Sequence, residues 1–274
     1  MRTLSIPARQ SPSQNRLLAA LPPADYARLL PSLELAPMPR GRVLYESGEA
    51  QGNVFFPTTS IVASCCVTED GSSAEIAVAG NEGVVGVALF MGGGSTTSRA
   101  VVYSAGYGYR LGSSVLEAEF AHGGNLQHLL LRYTQALMAQ TAQTAVCNRH
   151  HSVEQQLCRL LLLSLDRLVF SEMTLSHELI ADMLGVRREG ITEAAIKLRA
   201  AGLIDYSRGH ITAFDRQKLE AAVCECYAVV RAEYERLLPE VPSPSSWNPS
   251  KLSPATARNS PSNGLRAFHQ VAQG

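Results

Sequence analysis

The sequence has no excess charge of either sign and no long apolar run. Its 274 residues include 24 Lys or Arg and 24 Asp or Glu, so the formal net charge is zero. This balance excludes a general electrostatic attraction to nucleic acid, and any basic surface must be local. The apolar run LLLLSL at residues 160–165 is far shorter than the ~20 residues of a transmembrane helix. With 46% hydrophobic residues, the chain is expected to fold around a substantial core.

Motifs of catalysis and of secretion are also absent. The sequence contains no G-x-S-x-G, no Walker loop, no H-E-x-x-H and no paired-cysteine zinc spacing, which argues against an enzyme. The stretch GYGYRLG at residues 106–112 has the wrong glycine spacing for a dinucleotide-binding loop. The first 15 residues lack the apolar segment of a signal peptide, so we expect a cytoplasmic protein with reduced thiols.

The pattern of the chain changes near residue 113. Residues 34–112 have frequent glycine, alternating apolar and polar residues and closely spaced turns, which is typical of an antiparallel sandwich or barrel. From residue 113, glycine becomes rarer and apolar residues recur with helical spacing. The sequence therefore predicts an α+β protein with an N-terminal β domain and a helical C-terminal part.

A long helix is predicted around residues 125–150. Its stripe recurs with 4-3-4-3-4 spacing at Leu126, Leu130, Tyr133, Leu137, Gln140 and Thr144. Two interpretations fit this stripe: the helix packs on its own sheet, or it pairs with the same helix of a second chain. The polar members Gln140 and Thr144 would suit register selection in a two-chain coil. Both alternatives remain open at this level.

A pair of short helices is predicted from Ser176 onwards. Ser176 can cap the first helix, and Gly185 is of the residue type that commonly ends one. The turn to the next helix is so short that the two axes must cross steeply, as in a helix-turn-helix. A hairpin is predicted after it, over Leu203–Tyr206 and His210–Phe214. The second helix is expected to bury one arc, formed by Ile191, Ala194, Ala195 and Leu198.

Three charged residues open this second helix. Arg187, Arg188 and Glu189 fit an ordinary solvated helix start, but arginines oppose the positive end of the helix dipole. A nearby anion would resolve this conflict, and phosphate binds well at helix N-termini. Arginine also binds guanine in the major groove, and a carboxylate accepts a hydrogen bond from cytosine. The cluster therefore favours contact with DNA.

A family resemblance is carried by the stretch LSHELIADMLGVRREGITEAAIKLRAAGLIDYSRGHI. It resembles the helix-turn-helix and wing of the Crp/Fnr superfamily of bacterial transcription regulators. Over residues 34–238 the resemblance implies a jelly-roll β-roll like that of cyclic-nucleotide-binding domains, a long dimerisation helix and a winged helix-turn-helix. The expected division of the chain is a disordered N-terminus (1–14), a sensor domain (15–124), the dimerisation helix (125–150), the DNA-binding domain (151–238) and a disordered Pro/Ser-rich tail (239–274).

The resemblance also implies which residues contact DNA. Arg188 and Glu189 match the family's base-reading arginine–glutamate pair. Glu193 lies where some members have a second base-reading arginine, which implies a different operator sequence. Ser176 and His177 match phosphate-contacting positions. The other expected contacts are Arg187 at the start of the recognition helix, Thr192 on its polar arc, and Arg208 and His210 in the wing, where simple solvation is the alternative.

The sensor half departs from the family pattern. Nucleotide pockets of this superfamily carry G-E-x-[GA] and then R-[ST]-A. Here Gly83, Val84 and Gly86 form the first motif without the glutamate that accepts from the ribose hydroxyl. At the second motif, Ser98 precedes Arg99 instead of following it. We therefore do not expect cAMP; the alternatives are another small-molecule effector in this pocket or no ligand, and no cofactor is predicted.

No metal site is predicted. Residues 1–64 contain no cysteine, which excludes an N-terminal iron–sulfur cluster. Adjacent cysteines at 65 and 66 should face opposite sides of a strand. Cys224 and Cys226 are two apart in a helix predicted for residues 216–238, so their side chains should diverge and share no ligand. At the junction after the long helix, His150 and His151 are expected to hydrogen-bond between domains, with metal or haem ligation as the alternative.

These observations together predict a DNA-binding regulator. It would be a homodimer on a palindromic operator with half-sites about one helical turn apart, acting with RNA polymerase. An unidentified effector would act from the β-roll through the long helix to a hinge at residues 148–153. The alternative is a sensory or scaffold protein that does not bind DNA, because residues 172–216 hold six Lys or Arg against seven Asp or Glu. No membrane partner is expected.

Overall fold

The computed structural model describes residues 10–168, 175–207 and 210–239. Within these ranges the predicted order of a β domain, a long helix and a helical domain is confirmed. None of the helices in these ranges combines the length and apolarity that crossing a bilayer requires. Residues 10–14 were expected to be disordered, and this is wrong: Pro12–Gln14 form a capped 3-10 turn. The expected tail, apart from its first residue, lies outside the described residues.

Two short helices precede the β domain. They are α1 (Arg16–Ala19) and α2 (Pro23–Leu29), separated by a proline pair. Asn15 caps α1, and its amide nitrogen donates to the carbonyls of Pro57 and Gly83 at 2.9 and 2.8 Å. This buried side chain therefore fastens the N-terminal helices to the β domain.

Seven antiparallel strands form two sheets. The strands are β1 (Glu34–Met38), β2 (Val43–Tyr45), β3 (Asn53–Pro57), β4 (Ile61–Val67), β5 (Ser73–Ala79), β6 (Arg99–Ser104) and β7 (Gly106–Gly112). One sheet has the order β1-β7-β3 and the other β2-β6-β4-β5. The chain crosses between the two sheets at each step from β1 to β4 and again from β6 to β7, which closes the domain into the β-roll expected from the sequence.

The long helix, α4 (Asn125–His150), follows α3 (Ser113–His122). Its predicted stripe packs against its own chain, with every member buried except the half-buried Leu137. Tyr133 lies so close to Gly83 that a Cβ at this glycine would be 2.5 Å from the phenol oxygen. Gln140 donates to the carbonyl of Val78 on β5 at 3.2 Å. Of the two alternatives for this stripe, packing within the chain is the one observed.

A second stripe of α4 faces outward. Leu131 is 49% exposed, Met138 59% and Val146 46%. Exposed Gln135 and Ala142 lie on the same face, so positions 131, 135, 138, 142 and 145 repeat with 4-3-4-3 spacing. The stripe is not evident in the sequence, because Leu131 and Met138 alternate with a glutamine and two small alanines, and Val146 lies beside its last position.

The C-terminal domain contains the predicted helix pair. After α5 (Val153–Leu165) come α6 (His177–Leu184) and α7 (Arg188–Ala200). The strands β8 (Leu175–Ser176), β9 (Ile204–Ser207) and β10 (His210–Phe214) form a sheet of order β8-β10-β9. Gly185 ends α6 with φ 64°, a left-handed conformation that glycine adopts without strain. The predicted helix-turn-helix with a hairpin wing is therefore confirmed.

The single helix predicted for residues 216–238 is wrong. The structure has two helices, α8 (Arg216–Ala222) and α9 (Glu225–Leu237), with a break at Val223 and Cys224. Cys224 has extended backbone angles and caps α9. The break lets α9 turn and pack along α4, where Tyr234 meets Tyr133 edge-on with 6.4 Å between ring centroids.

The helix-turn-helix packs directly on the β-roll. A Cβ at Gly185 would lie 3.2 Å from the Cβ of Ala74 on β5, so the turn between α6 and α7 touches this strand. Ser73 donates its hydroxyl to the carbonyl of Asp182 at 3.3 Å. One hydrophobic core continues from β4 and β5 into α5, α6 and α7.

A buried ion pair connects the same parts. The Nε atom of Arg167 lies 2.7 Å from Oε1 of Glu82. Arg167 also donates to Oε1 of Gln140 at 2.9 Å and to the carbonyl of Leu163 at 2.7 Å. Tyr234 donates its hydroxyl to the same Gln140 oxygen at 3.1 Å. This buried network links the β-roll, α4, the end of α5 and α9.

Candidate nucleic-acid interface and effector cavity

The recognition helix α7 has one face in the core and one in solvent. The arc predicted to be buried is confirmed, with no member more than 6% exposed: Ile191, Ala194, Ala195 and Leu198. Ile191 and Ala195 belong to the core that also holds α5 and α6. This anchoring fixes the rotation of the helix about its axis, so the opposite face has a defined set of side chains.

The outward face of α7 carries the predicted DNA-contacting residues. Arg188, Glu189, Thr192 and Glu193 line one shallow surface groove, in which only Thr192 is half-buried. Arg187 is also exposed and precedes the first turn as its N-cap, without a side-chain capping bond. Five of the nine predicted contacts are therefore neighbours at the solvent-facing start of one helix.

The charges at the two ends of α7 differ in their pairing. Near the C-terminal end, Lys197 pairs with Glu154, and Arg199 pairs with Asp205 at 3.4 Å. Within the part of the chain that the structure describes, none of the four charged residues at the start of α7 forms an ion pair. The start of α7 thus carries two arginines and two glutamates without ion-pair contacts among the described residues, beside the positive end of the helix dipole.

Ser176 and His177 both form contacts within the helix-turn-helix itself. Ser176 caps α6, because its hydroxyl oxygen accepts from the backbone N–H of Leu179 at 3.3 Å. His177 is only 4% exposed, and its Nδ1 lies 3.3 Å from the hydroxyl of Thr192 on α7. The structure therefore places His177 between the two helices and not at the surface where a phosphate contact would require it.

The wing is described only in part. Arg208 lies outside the described residues. His210 begins β10, where it pairs in register with Ser207 of β9 and Ser176 of β8. The wing backbone is therefore tied to the residue that caps α6.

Three of the predicted effector residues lie in packed turns of the β-roll. Val84 is 1% exposed and belongs to a core cluster with Tyr133. Gly83 lies beneath the same tyrosine ring, as described above. Gly86 has φ 105°, and a Cβ there would meet the side chain and backbone of Val54 at 3.1 to 3.4 Å. These three positions serve close packing.

Arg99 and Ser98 differ in their surroundings. Arg99 donates to Oε1 of Glu46 at 3.1 Å, so its charge is already paired. Ser98 is 6% exposed and contributes to the wall of a cavity. Of the five predicted effector residues, Ser98 is the one found among the described residues that line this cavity.

The cavity lies between the β2-β6-β4-β5 sheet and α4. Its volume is about 320 Å³, and its walls include Tyr45, Gln51, Ser98, Leu137 and Thr141. Gln51 is 7% exposed, and neither amide atom of its side chain has a hydrogen-bond partner among the described residues. Its backbone N–H donates to the Gly94 carbonyl at 2.8 Å, because the glycine-rich loop at residues 92–97 folds over it. Nothing in the stretch GEAQGN marked this glutamine as buried.

A cluster of possible metal ligands lies elsewhere. Cys147, His151, Cys224 and Cys226 bring their ligand atoms within 4.8 Å of one another. The prediction that the last two cysteines diverge is therefore wrong, because it assumed one continuous helix. His150, the other junction histidine, is exposed and is not a member of the cluster.

Comparison with known proteins supports the assignment of a helix-turn-helix. Residues 155–222 match the model of the Crp-like helix-turn-helix domain. A search of curated proteins gives no match.

Solved structures show the fold beyond the residues that match the family model. A protein described as a transcriptional regulator of the Crp/Fnr family, from Eubacterium rectale, is similar with a TM-score of 0.61 and 15% identity, covering 77% of this chain and 98% of that one. FixK2 from Bradyrhizobium japonicum has a TM-score of 0.58 and 20% identity, covering 70% and 98%. The c-di-GMP responsive global regulator CLP from Xanthomonas campestris has a TM-score of 0.57 and 15% identity, covering 70% and 99%.

The family-model match and the similarity to solved structures both agree with the observed arrangement of helices and strands. The matched residues contain α6, α7 and the wing, and each of the three structures covers 70% or more of the chain, so the likeness extends well beyond the matched residues. Residues 155–222 are therefore similar to the Crp-like helix-turn-helix domain, and the chain has the fold seen in the solved structures of Crp/Fnr-family proteins.

Proposed function

We propose that the protein is a homodimeric transcription regulator that reads a palindromic operator with the start of α7. The observation that carries this proposal is the exposed, internally unpaired charge at that helix start, held at a fixed rotation by a buried opposite arc. DNA phosphates would neutralise the arginines at the positive end of the dipole. RNA polymerase is the expected partner at the promoter.

The residues of the groove differ in their proposed roles. Arg188 donates to a guanine edge in the major groove, and Glu189 accepts from a cytosine amine. Arg187, at the N-cap, contacts phosphate and so supplies affinity without sequence information. Glu193 lies on the same face one turn later, where its negative charge disfavours acceptor-rich base edges. His177 acts indirectly by holding Thr192, and with it the exposed face of α7.

Selection of operator sequences from a random DNA pool tests this function. The wild-type protein is expected to enrich a dyad with half-sites about one helical turn apart. The variant Arg188→Ala/Glu189→Ala is expected to lose the enriched sequence while keeping weak, salt-dependent binding, because base contacts carry specificity and phosphate contacts carry bulk affinity.

A matched control is available on α9. Arg231 and Glu235 form an exposed ion pair far from α7 in the sequence, so Arg231→Ala/Glu235→Ala removes the same charges elsewhere. It should select the wild-type sequence. If the wild type enriches no dyad under any condition, the scaffold alternative is favoured and the proposed function fails.

The outward stripe of α4 is the proposed dimer seam. Leu131 and Met138 lie seven residues apart and are about half exposed, and exposed Gln135 lies between them on the same face. Such spacing lets two parallel helices pack their a and d positions together. The stripe first identified in the sequence cannot serve, because its residues are buried within the chain.

Sedimentation equilibrium tests the seam. Leu131→Glu/Met138→Glu should convert a dimer into a monomer, because four carboxylates would meet in the two-chain seam. Val229→Glu changes a comparably exposed residue of α9 and should leave the dimer intact. A dimer that survives the double substitution would place the interface elsewhere.

The cavity beneath α4 is the proposed effector site. A volume of about 320 Å³ falls at the lower end of the range for small-ligand sites. The described lining contains hydroxyls and the unpaired amide of Gln51 but no charged side chain. These groups suit a small polar, uncharged molecule better than a cyclic nucleotide, whose phosphate requires a cation.

Ligand release from the purified protein, read by mass spectrometry, tests the effector site. Gln51→Leu should abolish retention of the molecule, whereas Arg99→Ala should not, because Arg99 is paired with Glu46 outside the cavity. Retention that depends on Arg99 and not on Gln51 would restore the pocket suggested by the family motif.

A further inference from the structure

Four side chains of metal-binding type meet where α4 ends and α9 begins. Cys147 lies in the last turn of α4, and His151 follows the helix directly, four residues further along the same face. Cys224 caps α9 and Cys226 is the second residue of that helix. The three sulfurs and one ring nitrogen all lie within 4.8 Å of one another. We call these residues the Cys3His cluster.

Two of the six separations between these ligand atoms match the edges of a metal-centred tetrahedron, and the other four do not exceed 4.8 Å. Sγ of Cys147 lies 3.7 Å from Sγ of Cys224, and Sγ of Cys226 lies 3.4 Å from Nδ1 of His151. Zinc bonds of about 2.3 Å to sulfur and about 2.0 Å to nitrogen, at tetrahedral angles, give edges of about 3.8 Å and about 3.5 Å. Both observed distances are therefore within about 0.1 Å of those expected around one zinc ion.

The surroundings orient the ligand atoms. His151 directs Nδ1 toward Cys226, and its Nε2 lies 3.4 Å from a carboxylate oxygen of Glu225. Carboxylates commonly hold the second nitrogen of a metal-binding histidine and fix its tautomer. Gln143 donates its amide N–H to Sγ of Cys226 at 3.1 Å, a contact that favours a thiolate.

A buried cation provides charge balance. Three thiolates, one neutral imidazole and a divalent ion have a net charge of −1. Arg159 is 2% exposed and is close enough to interact electrostatically with Cys147. Its Nη1 donates to the hydroxyl of Thr144 at 3.1 Å, and its Nε has no hydrogen-bond partner among the described residues. Arg159 also interacts with the buried carboxyl of Glu75, and its incompletely bonded guanidinium close to Cys147 fits a metal site that carries negative charge.

We propose that the Cys3His cluster binds a single Zn²⁺ ion. Each of the three thiols loses its proton to solvent when the ion binds, and the histidine coordinates as a neutral imidazole. Thiolate and imidazole ligands select zinc over magnesium or calcium, which require oxygen ligands. An iron–sulfur cluster is a poorer fit, because its ligands bind different irons and cannot all lie within one coordination sphere.

The ion would join the end of α4, the junction at His151 and the start of α9. His151 separates α4 from α5 and lies in the junction predicted to act as a hinge, while the two C-terminal cysteines hold the start of α9. Zinc therefore fastens α9 to the end of α4 at the point where the sensor half meets the DNA-binding half. Removal of zinc should loosen this junction while the β-roll keeps its own core.

Cobalt substitution in the full-length protein tests the proposal. The reduced, chelator-treated chain is titrated with Co²⁺, whose absorption distinguishes tetrahedral thiolate coordination from other sites. We expect one Co²⁺ per chain with a tetrahedral spectrum, and its displacement by one equivalent of Zn²⁺. Cys226→Ser and His151→Ala should each lower the affinity by at least ~10-fold. Cys66→Ser, at an exposed cysteine outside the cluster, should bind as the wild type does.

A second measurement does not depend on any variant folding correctly. X-ray absorption at the zinc edge of the loaded wild-type protein should give three sulfur neighbours and one nitrogen neighbour. Two outcomes would overturn the proposal. One is a reduced chain that takes up no metal or binds it equally well in every variant. The other is a Cys147–Cys224 disulfide, found by mass spectrometry in a chain that never binds zinc.

Discussion

Two arginine–glutamate pairs show how location decides the role of the same two residue types. Arg167 and Glu82 have side chains only 4% and 6% exposed, with 2.7 Å between nitrogen and oxygen. Arg188 and Glu189 are both exposed at the start of α7, and within the described residues neither forms an ion pair. The first pair is enclosed by further hydrogen bonds to α4 and α5, and the second faces solvent.

The physical difference is the state of solvation. A buried charge has lost its water and depends on its partners, so removing one partner leaves an uncompensated ion in the core. An exposed charge keeps its water and contributes little to folding. It can later exchange that water for a DNA phosphate or a base edge. The buried pair therefore serves the fold, and the exposed pair is available to a partner.

The largest expected effect is on the buried pair. Glu82→Ala should lower the free energy of unfolding by about 3–5 kcal/mol, because it leaves the guanidinium of Arg167 unpaired in the core. Urea denaturation followed by circular dichroism measures the loss. Glu235→Ala breaks the exposed pair with Arg231 and should cost less than about 0.5 kcal/mol. Equal losses in the two variants would mean that the Arg167 site is hydrated.

The second prediction concerns a buried carboxyl on β5, close to the same network. Burial raises the pKa of Glu75 from 4.5 to about 7, an effect that Arg159 and Arg167 only partly oppose. The unfolded chain releases this proton at a lower pH than the folded chain does. Stability should therefore fall as the pH rises from about 4.5 to about 7, by up to about 3 kcal/mol.

Replacing this carboxyl by an amide isolates its contribution. Glu75→Gln should be more stable than the wild type above pH 7 and similar to it below pH 4.5. Urea midpoints across this pH range provide the measurement. Parallel pH profiles for the two proteins would show that Glu75 ionises in the folded state as it does in water.

The third prediction separates two neighbouring arginines of the exposed set. Arg188→Ala should weaken operator binding by about 1–3 kcal/mol and relax the preference at one base pair. Arg187→Ala should weaken binding to all sequences and lower the salt slope by about one. Neither should change the urea midpoint, because both side chains are exposed. Fluorescence anisotropy at several salt concentrations measures both effects. Identical specificity changes would contradict the division into base and phosphate contacts.

Local patterns predicted the geometry of the helix-turn-helix well. The cap at Ser176, the glycine at Gly185 and the arc around Ile191 depend on residues a few positions apart, so their meaning survives without knowledge of the rest of the fold. The exposed charges at the start of α7 were predicted because they lie on the helix face opposite the buried arc. The hairpin and the antiparallel β domain were also predicted from the residues, and the resemblance to a known family then identified them as a wing and a β-roll.

Features that depend on distant packing were not predicted. The spacing around Tyr133 marked a buried stripe on α4 but could not say whether the partner was this chain or another one. The break before α9 has no glycine or proline at Val223 and Cys224, so the helical pattern of the sequence continues through it. With the break missed, Cys226 was placed on the wrong side of the helix. The burial of Gln51 likewise results from a loop far along the chain, around Gly94.

The smallest expected effect is at Gly190, in the first turn of α7 between the exposed charges and the buried arc. Its φ is not positive, and an added Cβ would meet nothing within 4 Å. Gly190→Ala should therefore raise the free energy of unfolding by about 1 kcal/mol, because alanine is the better helix former. If this glycine is needed so that the helix can approach the DNA backbone, the same methyl group should weaken operator binding while it stabilises the fold. Urea denaturation and fluorescence anisotropy on one preparation measure the change in stability and the change in operator binding. A rise in stability with unchanged operator binding would mean that DNA does not approach this side of α7. A rise in stability together with weaker operator binding would show that the surface near Gly190 serves the DNA partner and not the fold.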